Sequence, residues 1–86
     1  MGQYALGEYF FGIGELLKAV EAFKNATDHP DAWRQLGLLY ADLEDLENSI
    51  NAFSNAIKAG DAKSIPWLVD LLDTHLPDDP NLEPTR

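Results

Sequence analysis

The sequence predicts an all-α fold of five helices, the first four forming two antiparallel helix-turn-helix units stacked on one another. Three observations carry that prediction. The segment AFKNAT at residues 22–27 returns thirty residues later as AFSNAI at residues 52–57. Within the candidate helices, apolar residues step by three and four, the spacing that gathers them on one helical face. Glycine, proline and acidic bends punctuate those periodic stretches.

The elements follow in order. Helices are expected over residues 3–11 and 15–27, separated by Gly12-Ile13-Gly14, where two close glycines break the helix. The next pair is expected over 30–42 and 46–59, separated by the acidic bend Leu43-Glu44-Asp45. In this pair Leu36, Leu39, Tyr40 and Leu43, then Leu46, Ile50, Phe53 and Ile57, mark the buried faces. Asp28 or His29 before Pro30 provides a helix start, and Gly60 a helix stop. A fifth amphipathic helix is expected over 64–76, begun by Ser64 and Pro66. Pro77, Pro80 and Pro84 exclude a helix beyond it, so residues 77–86 read as a flexible acidic tail.

Sliding the chain by thirty residues aligns Leu6 with Leu36, Gly7 with Gly37 and Phe10 with Tyr40. It also aligns Ala19 with Ser49, Phe23 with Phe53 and Ala26 with Ala56. The matches fall on apolar or small positions. Glycine inside a helix costs about 1 kcal/mol relative to alanine. Its use twice at the same place indicates close helix approach at Gly7 and Gly37. Ala19, Ser49, Ala26 and Ala56 provide flat spots on the second helices. Phe23 and Phe53 are expected to fill the groove between neighbouring pairs.

Trp33, Leu36-Gly37, Tyr40, Ser49, Phe53 and Ala56 resemble the tetratricopeptide repeat, whose motif places Trp, Leu-Gly, Tyr, Ala, Phe, Ala and Pro at fixed offsets. Ser49 replaces an alanine and Asp61 a proline. The first unit matches with Leu6, Gly7, Phe10, Ala19, Phe23 and Ala26, but Gln3 replaces the tryptophan. Trp67 stands 34 residues after Trp33, the normal period of that family, so the linker between the first two units is four residues short. The resemblance implies a short right-handed superhelical solenoid. Repeat one would span 1–29, repeat two 30–63 and a capping helix 64–76, together a domain of residues 1–76.

Composition narrows the partners. The chain of 86 residues carries 15 Asp and Glu against 6 Lys and Arg, a net charge of −9. That field disfavours nucleic acid and anionic membranes. No signal peptide or transmembrane run is recognisable, and there is no cysteine. A cytoplasmic location is expected. No Ser-His-Asp set, phosphate loop or calcium loop is present. Asp70, Asp73 and His75 form too small a group for a metal site, and His29 reads as a solvated turn residue. The chain is expected to be no enzyme and to need no cofactor or metal.

The resemblance implies a concave face lined by the first helix of each pair, used to hold a peptide or another protein. By position, Tyr4, Glu8 and Phe11 would line it first. Asp31, Arg34, Leu38, Ala41 and Asp42 would follow, and then Leu68 and Leu72. Such a face suits an apolar or basic segment. The expected function is therefore an adaptor or scaffold. The alternative is a self-associating piece of a larger repeat array, with a homodimer as one possible state.

Overall fold

The computed structural model describes residues 2–75. They contain helices α1 (Gln3–Gly12), α2 (Leu16–Lys24), α3 (Ala32–Asp42), α4 (Leu46–Lys58) and α5 (Ser64–His75). There is no strand among the described residues. The expected tail, and Leu76 at the end of the expected fifth helix, lie outside them.

The main packing joins chain neighbours: α1 with α2, α2 with α3, α3 with α4, and α4 with α5. Each described helix thus packs chiefly on its neighbours in the chain, and the longest described helix has 13 residues, about 20 Å at 1.5 Å per residue.

Three helices end in the same backbone arrangement. After α1, Gly14 N–H donates to the Phe11 carbonyl (3.2 Å) and Glu15 N–H to that of Phe10 (2.9 Å). After α3, Glu44 N–H donates to Ala41 (3.0 Å) and Asp45 N–H to Tyr40 (2.8 Å). After α4, Gly60 N–H donates to Ile57 and Asp61 N–H to Ala56, both at 2.9 Å. This Schellman pairing needs a left-handed residue at its centre. Gly14 and Gly60 provide it at φ 85° and 97°. Glu44 occupies the same place at φ 61°, although a side chain there costs about 1 kcal/mol. Asp45 then caps α4 by accepting the Asn48 N–H at 3.4 Å.

The linker between α2 and α3 departs from expectation. Helix α2 stops at Lys24, not residue 27, and α3 starts at Ala32, not residue 30. Residues 25–31 form consecutive turns, with Ala26 N–H on Phe23 and His29 N–H on Ala26. Asp31 precedes α3 but makes no side-chain cap. The side chain that takes the Asp31 N–H is His29, through Nδ1 at 3.1 Å.

The core explains the sequence repeat. Phe23 and Phe53 are fully buried. A Cβ built on Gly7 would stand 2.8 Å from the Phe23 ring, and one on Gly37 2.7 Å from the Phe53 ring. Each phenylalanine thus lies flat on the glycine of its own helix pair. The rings also reach towards the next pair, as expected: Phe23 joins Leu36 and Leu39 in the core, and Phe53 stacks on Trp67 of α5 at 6.3 Å and 5°. Burying one such ring contributes about 1.5–3 kcal/mol. Ala19, Ala26 and Ala56 are buried, as is Ser49, whose Oγ donates to the Gly37 carbonyl at 2.7 Å. Phe10, Trp33 and Tyr40 are partly buried against the same core.

Candidate functional site

The candidate face draws on α1, α3 and α5, which alternate with α2 and α4 along the row. Its residues divide into two groups. Tyr4 and Arg34, thirty residues apart, are partly buried, and each ties its helix to the linker that follows its own helix pair.

Tyr4 is half-buried and stacks on His29 in the α2–α3 linker, with centroids 3.6 Å apart and planes 3° apart. It also meets Phe23 edge-on at 5.2 Å, and its hydroxyl accepts from Gln35 Nε2 at 3.3 Å. His29 is therefore a packed residue with an occupied ring nitrogen, not the solvated turn residue expected.

Arg34 takes the same position in the second unit with different chemistry. Its Nη1 donates to Asp61 Oδ2 at 2.7 Å and to Asp31 Oδ1 at 3.1 Å. Burial alone would lower the Arg34 pKa, but the hydrogen bond and charge of Asp61, and then those of Asp31, hold it above its ordinary value. Asp61 is also the hub of the α4–α5 turn. Its Oδ1 accepts the Lys63 N–H at 3.1 Å, and its Oδ2 accepts from Ser64 Oγ at 3.5 Å. This role was hidden in the sequence, where Asp61 reads as a mild departure from proline.

The second group is more accessible. Glu8 and Asp42 are exposed, while Phe11, Leu38, Leu68 and Leu72 are partly exposed. Phe11 also packs against the core. With Arg34 held by two carboxylates, the accessible residues are apolar and acidic. Among the described residues no three His, Cys, Asp or Glu side chains gather into a metal-binding group. No described helix is long and apolar enough to cross a membrane.

Sequence reasoning missed a second surface. A groove of about 360 Å³ lies between α1 and α2, lined by Leu6, Phe10, Leu17, Lys18, Glu21 and Ala22 among others. Its signal was present: Leu17 aligns with Glu47, so the first unit carries an apolar residue where the second is charged. Comparisons with protein-family models, with curated proteins and with solved structures found no match to this chain.

Proposed function

We propose that the chain is a non-catalytic binding module of tetratricopeptide type, holding a protein segment against the face formed by α1, α3 and α5. The observation that carries this reading is the pairing of Arg34 Nη1 with Asp61 and Asp31. It offsets the one cation among the proposed face residues, whose accessible members are Glu8, Asp42, Phe11, Leu38, Leu68 and Leu72. A segment with apolar anchors flanked by lysine or arginine complements such a face in apolar character and charge. The side-by-side helices and the Phe-on-Gly contact recurring after thirty residues support the repeat assignment.

A helical peptide of leucine and lysine is a direct probe, with a second peptide carrying glutamate for lysine as control. The lysine peptide is expected to bind and to weaken with added salt. Leu38→Glu should lower its affinity at least tenfold while helicity stays unchanged. Equal binding of both peptides, or no effect of Leu38→Glu, would remove this face from the proposal.

A further inference from the structure

We propose that α5 of one copy docks into the α1–α2 groove of another, joining copies head to tail. The receiving surface has a counterpart within the same chain. Leu6 in the groove aligns with Leu36, which is 1% exposed and packed in the core with Val20 and Phe23 of α2. The equivalent face of the second unit is thus covered by a helix. In the first unit Leu6 is partly exposed, and Leu17 is 72% exposed. The groove has the form of a helix seat that no described residue fills.

The matching helix is at the other end of the chain. Helix α5 buries Ser64 and Leu71, and turns Trp67 toward Phe53. Ile65 and Val69 stand one turn apart on a different side, 46% and 52% exposed. Leu72 continues the stripe, giving anchors at positions i, i+4 and i+7. Asp73, exposed, follows Val69 by four residues and so flanks the stripe's end. Lys18 and Glu21 are the charged residues lining the groove, one turn apart on α2. Seating the stripe between Leu6, Phe10 and Leu17 pairs Asp73 with Lys18 only in the direction that keeps it from Glu21.

Seat and stripe are different surfaces of one chain, so the contact is heterologous and does not close on itself as a symmetric dimer does. One helix in one groove is small beside the roughly 1,200–2,000 Å² of stable complexes. The association is therefore weak and depends on concentration. This contact is separate from the face holding the proposed partner, apart from Leu72 at its border.

Two exposed positions test it. Leu17→Glu blocks the seat and leaves the stripe intact; Val69→Glu does the reverse. By light scattering behind a sizing column, the unmodified chain should exceed the mass of two copies as concentration rises. Each variant alone should stay a monomer, with helicity unchanged by circular dichroism. Mixed, the two variants should form a 1:1 dimer and stop there, since the dimer retains only blocked surfaces. A mass of one chain at every concentration would overturn the proposal, as when residues 76–86 of the same chain cover the stripe. Self-association that the mixed variants fail to restore would also overturn it, in favour of a symmetric contact.

Discussion

Gly37 lies so close against Phe53 that a Cβ added to it would stand 2.7 Å from the ring. Alanine at position 37 would gain about 1 kcal/mol in helix propensity, but the overpacking it creates costs about 1–3 kcal/mol. Gly37→Ala is expected to lower stability by about 1 kcal/mol net, and Gly7→Ala similarly. Gly12→Ala is the control, because nothing lies within 4 Å of its added Cβ. It should raise stability. Urea unfolding of the three variants checks the order, and Phe53→Leu should relieve part of the Gly37→Ala defect.

Glu44 holds a backbone conformation that its repeat partner Gly14 adopts without a side chain. Glu44→Gly should therefore stabilise the protein by about 1 kcal/mol. Gly14→Ala should destabilise it by a similar amount. Thermal unfolding followed at 222 nm measures both. A Glu44→Gly protein that melts lower would show that the side chain has a compensating role.

Ser49 fills a buried position that is alanine in the first unit, and adds one hydrogen bond to the Gly37 carbonyl. Ser49→Ala keeps the packing and loses the bond. The expected cost is about 1 kcal/mol, measurable as a lower denaturant midpoint with an unchanged slope.

The Arg34–Asp61 pair lies between the surface and buried regimes, with side chains 17% and 9% exposed. A double-mutant cycle with Arg34→Met and Asp61→Asn should give a coupling energy of about 1–3 kcal/mol. The raised Arg34 pKa means that its contribution is fully present below the ordinary arginine pKa and fades only as pH rises through the higher folded value. It is therefore constant over the working pH range, and salt is the usable probe. Denaturant midpoints at low and high salt should differ less in Arg34→Met than in the unmodified chain.

The helices were legible in the sequence because their apolar spacing records burial directly. Gly7, Gly37, Phe23 and Phe53 were legible as a set because the chain repeats them, although the partner of each ring was not. Linker side chains were harder. His29 and Asp61 look polar and loop-like, and their packing depends on where a turn aims them, which no periodicity records. Tyr4 and Arg34 share a face position yet meet these linkers by stacking in one case and by ion pairing in the other. The α1–α2 groove was obscured for a different reason. Leu6 and Phe10 have the spacing of core residues, and only the assembled structure shows that they stay partly exposed at the groove.

Because each helix packs mainly on its neighbours in the chain, little loop-closure entropy opposes its docking, and folding is expected to be fast. The same layout makes protection uneven. Helix α3 is braced on both sides, whereas α1 and α5 each rest chiefly on a single neighbour. Amide exchange should then be slowest around Leu36 and Leu39 and quicken towards either end, with the outer helices opening without the centre. A surface that opens so readily at its ends is one whose stability a bound neighbour can raise, which couples the chain's rigidity to its company.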